Sequence, residues 1–143
     1  MIKLSTEIAD RMAEAAALAI DDGSGGSAIV RIYDGTRPAN LDEAITTQNV
    51  IAEISLPEGS PFVFRETTDS FVAYELSTSE PVFVTLAGEA SFFRLFDNEG
   101  NATMDGDVSN PAGTGDMKIS MVEVSDGFLV KIISFVYKIA KTP

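Results

Sequence analysis

Apolar and polar positions alternate most clearly over residues 91–96, within the stretch 87–108 around which the chain is organised. The two faces are Phe93 and Leu95 on one side, and Phe92, Arg94 and Phe96 on the other. This period-two pattern with aromatic residues predicts a half-buried strand. Residues 97–100 predict a tight turn, because Asp and Asn bond to their own backbone and glycine accepts a positive φ. A second, weaker strand is predicted to stop at 105–107, which makes the region a β-hairpin.

Similar alternation, interrupted by turn residues, recurs along the rest of the chain. Further strands are predicted at 28–33, 50–56, 117–121 and 128–139, and two or three more within 62–86, divided around 67–69 and 77–81. The expected apolar faces include Ala28, Val30 and Ile32; Val50, Ala52, Ile54 and Leu56; and Met117, Ile119 and Met121. Turns are predicted at 34–38, 57–61, 109–115 and 125–127. Many short strands separated by turns predict a mainly β fold, a β-sandwich or jelly-roll-like domain.

Residues 5–20 predict one α-helix before the first strand. Ser5 or Thr6 can cap it, and Glu7 lies in the first turn, where the helix dipole favours an anion. Apolar residues recur every four positions as a narrow stripe, at Ile8, Met12, Ala16 and Ile20. A glycine- and serine-rich linker follows at 22–27. The helix either packs over one end of the sheet or docks as an arm on a neighbouring subunit, and we favour packing on the sheet.

The chain length fits a single domain, 1–143, with a helical arm at 1–22 and a β-sandwich at 28–139. The final strand, 128–139, carries apolar residues on both expected faces. These are Phe128, Val130, Ile132 and Val136 on one side, and Leu129, Ile133, Phe135, Tyr137 and Ile139 on the other. A strand of this kind is usually covered on both sides. We therefore expect a homo-oligomer, a trimer or dimer, whose contact surface includes one face of this strand.

Acidic residues outnumber basic residues by 22 to 10, and the formal net charge is −12 at pH 7. Nucleic acids and anionic membranes require a positive protein surface, so neither is expected as a partner. The chain has no cysteine and no histidine, which excludes disulfides and every Ser-His or Cys-His catalytic arrangement. Acidic residues interrupt the apolar run that a secretory signal needs near the start of the chain. We therefore expect a protein made and assembled in the cytoplasm.

The acidic segment from Asp97 to Asp107 resembles a calcium-binding loop at first sight. An EF-hand loop requires glycine at its sixth position and glutamate at its twelfth, whereas counting from Asp97 places Gly100 fourth and Val108 twelfth. Turn formation explains these residues more simply, although a calcium site shared between subunits stays open. Arg94 is interpreted as a salt-bridge or stacking partner rather than a catalytic cation. We predict no catalytic, cofactor-binding or metal site, and no cofactor.

Four short motifs, followed by a fifth in the closing strand, are spread over most of the chain. They are Leu4-Ser5-Thr6; 32–39 (Ile-Tyr-Asp-Gly-Thr-Arg-Pro-Ala); 51–54 (Ile-Ala-Glu-Ile); 90–100 (Ala-Ser-Phe-Phe-Arg-Leu-Phe-Asp-Asn-Glu-Gly), extended by Gly106-Asp107-Val108; and the closing strand 127–135. Together they resemble a family of small virion proteins of tailed phages and prophages. The region 62–83 departs from that family, since it is aromatic and acidic where the family tends to be rich in Ala, Gly and Thr.

The resemblance implies a structural role in the virion and no enzymatic activity, most closely that of a capsid decoration or cement protein. The implied partners are further copies of the chain and the major capsid protein, after assembly in the host cytoplasm. A head-spike, neck, tail or receptor-binding module that recognises carbohydrate is the alternative. The aromatic groups Phe62/Phe64 and Phe92/Phe93/Phe96 are interpreted as core or interface in preference to a carbohydrate platform. An enzyme is the third and least favoured class.

Overall fold

The computed structural model describes residues 5–20, 26–58, 62–76 and 79–140. Within these residues the chain forms one helix and twelve strands. They are α1 (Thr6–Ala19), β1 (Ile29–Tyr33), β2 (Val50–Ser55), β3 (Phe62–Thr67), β4 (Phe71–Leu76), β5 (Val82–Phe83), β6 (Gly88–Glu89), β7 (Phe92–Phe96), β8 (Ala102–Ser109), β9 (Met117–Ile119), β10 (Glu123–Val124), β11 (Leu129–Val130) and β12 (Ile132–Ala140). This confirms a mainly β fold with one N-terminal helix. The predicted linker at 22–27 and the turns at 57–61 and 77–81 lie partly outside the described residues.

Eight of the strands form one curled sheet, in the order β2-β1-β7-β8-β9-β12-β4-β3. Its neighbouring strands are antiparallel, except β8 and β9, which are parallel. The sheet has two halves, β2-β1-β7-β8 and β9-β12-β4-β3. Strand β8 joins them, because it pairs with β7 along most of its length and with β9 at its end. The halves face each other, and the ring centroids of Phe93 in β7 and Phe135 in β12 lie 4.9 Å apart. The curled sheet thereby encloses an apolar core between two layers, as in a β-sandwich.

The parallel pairing of β8 with β9 requires the chain to return within residues 110–116. Parallel neighbours usually need a crossover of about a dozen residues or more, and this shorter return leaves little space between the loop and the strand. A Cβ atom at Gly115 would lie 2.6 Å from the backbone nitrogen of Ser109 and 2.7 Å from the carbonyl carbon of Val108. The Gly115 N–H also donates to Ser109 Oγ at 3.0 Å. Glycine at this position therefore permits the junction between the two halves.

Strand β8 does not stop at 105–107, as the sequence predicted, but continues to Ser109. Gly106 lies inside this strand. A glycine is needed there because neighbouring side chains approach its backbone closely. A Cβ atom there would lie 2.7 Å from Asp116 Oδ2 and 2.9 Å from Phe93 Cε1. Glycine in a strand often marks such a close approach, and here it does not mark the end of the strand.

The predicted final strand is divided, and the prediction that its side chains alternate regularly between two faces was wrong. Strand β11 precedes β12, and the register of β12 against β9 shifts between Ile132 and Ser134. The extra residue is Ile133, and a bulge of this kind reverses which positions face inward. Val130 and Ile132 are buried on one side of the shift, and Phe135 is buried on the other. Most of the apparent second apolar face therefore belongs to a single inward-facing row.

Two other predicted apolar faces need smaller corrections. In β2, a register shift opposite Ile32 and Tyr33 buries Ile51 and leaves Val50 exposed. The other predicted positions of that strand are buried: Ala52, Ile54 and Leu56. Met121 lies beyond the end of β9 and is exposed, whereas Met117 and Ile119 are buried. Bulges depend on the partner strand, so alternation along one strand does not reveal them.

Strand β7 is buried on both faces rather than half-buried. Phe93 and Leu95 face the core, and Phe92 and Arg94 on the opposite face are buried as well. The ring of Tyr33 in β1 stacks on Phe92, with centroids 5.0 Å apart. The connection between β1 and β2 covers the rest of this face.

The predicted helix is confirmed at Thr6–Ala19, with Ser5 as its cap, because the Ile8 N–H donates to Ser5 Oγ at 3.3 Å. The helix contacts β3, β4 and β12, so it packs on the sheet as we favoured. The predicted packing stripe was wrong in part, since Ile8 and Met12 are exposed and Ile20 is buried. The stripe position Ala16 lies outside the side chains that the structure describes. The face with Asp10 is turned to the sheet instead, and Asp10 accepts a hydrogen bond from Thr67 Oγ1 at 3.1 Å.

Candidate interaction surface

The buried guanidinium of Arg94 connects the central hairpin to the β1–β2 connection. Its side chain is 4% exposed and pairs with Asp105 at 3.2 Å. It also donates to the carbonyl oxygens of Glu43 at 2.9 Å and Asn40 at 3.4 Å. Arg37 extends the network to Asp105 at 3.3 Å. The predicted salt-bridge role of Arg94 is therefore confirmed.

This network brings together two of the motifs that carry the virion-protein resemblance, 32–39 and 90–100 with its extension 106–108, since Arg37 also pairs with Asp107 at 3.4 Å. Asp34, at the end of β1, accepts hydrogen bonds from the backbone N–H of Asn49 at 2.6 Å and from its side-chain amide at 3.0 Å. These two hydrogen bonds lower the pKa of Asp34. The motif residues thus hold the β1–β2 connection in place, and their contacts are structural.

The acidic segment 97–107 is also used within the fold. Asp97 Oδ1 accepts the N–H groups of Glu99 at 3.0 Å and Asn101 at 2.8 Å. The N–H of Gly100 donates to the carbonyl of Asp97, and Gly100 has a φ of 87°. The predicted turn is therefore confirmed. The described residues contain no group of three or more acidic side chains arranged to hold a metal ion.

An open cleft of about 900 Å³ lies between the two halves of the sheet. Charged side chains of both signs line it, but the structure gives several of them partners within the chain. Lys118 donates to the carbonyl of Gly113, and Asp116 accepts the N–H of Asp107 at 2.9 Å. Lys138, another lining residue, lies 4.2 Å from the ring centroid of Phe71. These contacts tie the charged side chains to the walls of the cleft.

A β-ribbon made of two short strand pairs carries several exposed apolar side chains. We define the ribbon as the segments 82–89 and 123–130, which form two separate strand pairs, β5 with β11 and β6 with β10, joined by a hydrogen bond from the Val84 N–H to the carbonyl of Phe128. Its inner side chains are buried: Val84, Val124 and Val130. Both the backbone N–H and the hydroxyl of Thr85 donate to the carbonyl of Ile51 in β2. The ribbon is therefore anchored to β2.

The outer side of the ribbon exposes large apolar side chains at one end. Phe83 and Leu129 are directly opposite each other across the two strands. Phe83 is 69% exposed, Leu129 50% and Phe128 47%. Leu86 is exposed as well. Clusters of exposed apolar side chains on soluble domains commonly mark contact sites.

The other end of the ribbon is acidic. Glu89 and Glu123 are directly opposite each other in the β6–β10 pair, and both are exposed. Asp126 is exposed in the turn that follows β10. Within the described part of the chain, none of these three carboxylates forms an ion pair. The ribbon thus carries exposed apolar side chains at one end and acidic side chains at the other.

Comparison of the chain with protein-family models, curated proteins and solved structures finds no match. The resemblance to phage virion proteins stays a prediction. No helix in the described part of the chain has the length and apolar character needed to cross a membrane.

The sequence identified part of the candidate surface and missed the rest. Phe128 and Leu129 belong to the strand for which an interface was predicted. Phe83, Glu89 and Glu123 were not singled out, because the pairing of 82–89 with 123–130 joins distant segments. Among the aromatic groups predicted as core or interface, Phe62, Phe92 and Phe93 are buried, Phe96 is half-buried and Phe64 is exposed. One signal for Phe83 was the continuous run of apolar residues at 82–84, whose neighbours in a strand must point to opposite sides.

Proposed function

We propose that this chain is a non-enzymatic structural protein of a tailed-phage particle, a capsid decoration or cement protein that binds the major capsid protein shell. The observation that carries the proposal is the exposed apolar end of the ribbon on a well-packed β domain. A cement protein must present a contact surface of this kind to the shell, since burial of apolar side chains is the main favourable term in association. The sequence motifs that resemble virion proteins support the same role.

Composition and electrostatics also support a structural role. The chain has no histidine and no cysteine, so the commonest catalytic base and every Ser-His or Cys-His arrangement are missing. Arg94, the buried cation, is engaged by Asp105 and two carbonyl groups. Asp34 and Asp97 hold turns through backbone hydrogen bonds. We therefore assign these polar residues to stability rather than to a reaction.

We also propose that the chain forms a dimer or trimer through the exposed edge of the sheet. Strand β3 is the last strand of the eight-stranded order, and Val63 and Phe64 on it are exposed. An edge strand with exposed apolar residues readily pairs with another chain. Light scattering at tens of micromolar tests this proposal, and a monomer at that concentration would contradict it. Loss of the oligomer in the double variant Val63→Ser/Phe64→Ser would support the assignment to β3.

Mass spectrometry of purified particles tests the virion role. The particles should come from a phage or prophage whose genome encodes this chain. Hundreds of copies per particle are expected for a decoration protein, whereas a handful would favour the neck, spike or tail. Absence from purified particles would contradict the structural role. The exposed rings of Phe83 and Phe128 keep the carbohydrate-binding alternative in consideration, and a glycan array tests it directly.

A further inference from the structure

We infer that the outer side of the ribbon is a docking surface for a basic protein surface, one with an apolar depression flanked by Lys or Arg side chains. The inference deepens the proposed structural role and rests on it for the expectation of a protein partner. It also assigns the ribbon to a partner other than a second copy of this chain. The argument depends on three observations at the ribbon and its surroundings.

The first observation is that the apolar end stands on hydrogen-bonded backbone. Phe83 and Leu129 project from a pair of strands whose inner neighbours, Val82 and Val130, are half-buried and buried. Phe128 follows the turn in which its N–H donates to the carbonyl of Ser125 at 3.0 Å. These side chains therefore stand on ordered backbone. Binding of a partner over them would therefore cost this chain little conformational entropy.

The second observation is the uncompensated acidic end. Opposite residues in an antiparallel pair have Cβ atoms about 4.5–5.5 Å apart, and like charges at this distance destabilise the pair. Glu89 and Glu123 are such a pair. The nearest basic residues in sequence, Arg94 and Lys118, are engaged elsewhere, Arg94 with Asp105 and Lys118 with the carbonyl of Gly113. A cationic side chain of a partner placed between the two glutamates would relieve their repulsion and strengthen the complex.

The third observation argues against a second copy as the occupant. Every arginine of the chain is already engaged in an ion pair: Arg11 with Glu7, Arg31 with Glu53, Arg37 with Asp105 and Asp107, Arg65 with Glu75, and Arg94 with Asp105. A two-fold interface brings the same patch of both subunits together. At the ribbon, it would bring acidic side chains against acidic side chains. A basic partner matches both the net charge of −12 and the local charge.

A binding experiment with the full chain and two synthetic peptides tests the inference. One short peptide alternates Lys with Leu, and its control alternates Lys with Ser at the same charge. Fluorescence anisotropy at low and moderate salt should show that the Lys-Leu peptide binds at least about tenfold more tightly. The variant Phe83→Ser/Leu129→Ser should lose that advantage. The variant Glu89→Gln/Glu123→Gln should weaken binding and reduce its salt dependence.

The matched control is Ile8→Ala/Met12→Ala, which removes exposed apolar side chains from α1, outside the ribbon, and should leave peptide binding unchanged. Equal affinity for both peptides would overturn the inference, because it would indicate attraction between charges alone. An equal loss of binding in the α1 variant would overturn it as well. So would a wild-type oligomer that Phe83→Ser/Leu129→Ser disrupts, since the ribbon would then contact a second copy. Absence from particles would refute the virion role without changing the peptide result, so the two failures are distinguishable.

Discussion

Substitution of Gly115 by alanine tests the junction between the two halves of the sheet. The new Cβ atom would lie 2.6 Å from the nitrogen of Ser109 and 2.7 Å from the carbonyl carbon of Val108. These distances are roughly 1 Å shorter than an optimal contact between carbon atoms. Both neighbours are backbone atoms of β8, so no side-chain rotation can relieve the overlap. We expect a loss of about 2–3 kcal/mol in the free energy of unfolding, the upper part of the range for overpacked sites.

Urea denaturation, with the slope compared between variants, measures this loss directly. Thr114→Ala is the matched control, because Thr114 is exposed in the same loop and surface substitutions usually change stability by about 0.5 kcal/mol or less. Gly115 does not have a positive φ, so the expected effect is steric and does not come from backbone strain. If Gly115→Ala is as stable as Thr114→Ala, the loop does not pack against β8 as described.

Three further perturbations test other parts of the fold. Gly100→Val should cost roughly 1 kcal/mol or more, because a β-branched residue is strongly disfavoured at positive φ, and a neutral result in urea denaturation would contradict the turn. Arg94→Met should destabilise by about 3 kcal/mol, since it leaves the carboxylate of Asp105 with less compensation, and Asp105→Asn in the same background should recover part of this loss in thermal melts. The lowered pKa of Asp34 means that its ionised form stabilises the native state. The stability difference between wild type and Asp34→Asn should therefore be greatest near neutral pH and shrink below about pH 4. A constant difference across that range would refute the stabilising role of the Asp34 carboxylate.

Local features of the fold were predictable from the sequence. The turn that ends in Gly100 and the turn at Gly127 both contain glycine at positive φ, and each depends on residues adjacent in the chain. Ser5 caps the helix within one turn of the hydrogen-bond donor. Such features require no knowledge of distant partners. The alternation of apolar residues likewise predicted the buried faces of β1 and most of β2.

Features that depend on distant segments were not predictable in the same way. The bulge at Ile133 arises where β12 pairs with β9, and the burial of Ile51 arises where β2 pairs with β1. A single register shift moves a whole row of side chains to the other face. The candidate surface has the same origin, because Phe83 meets Leu129 only after segments far apart in sequence pair. The sequence pattern therefore predicted the fold class better than the position of the exposed residues.

The strand order also determines when each strand can find its partners during synthesis on the ribosome. Strand β4 pairs with β3, its neighbour in sequence, and with β12, which is translated after all the other described strands. The β3–β4 hairpin must therefore wait, with one edge of β4 open, until residues 132–140 emerge. Unpaired edges of nascent β-sheets are prone to aggregate. The yield of soluble protein during expression should consequently depend on how quickly translation delivers that final strand.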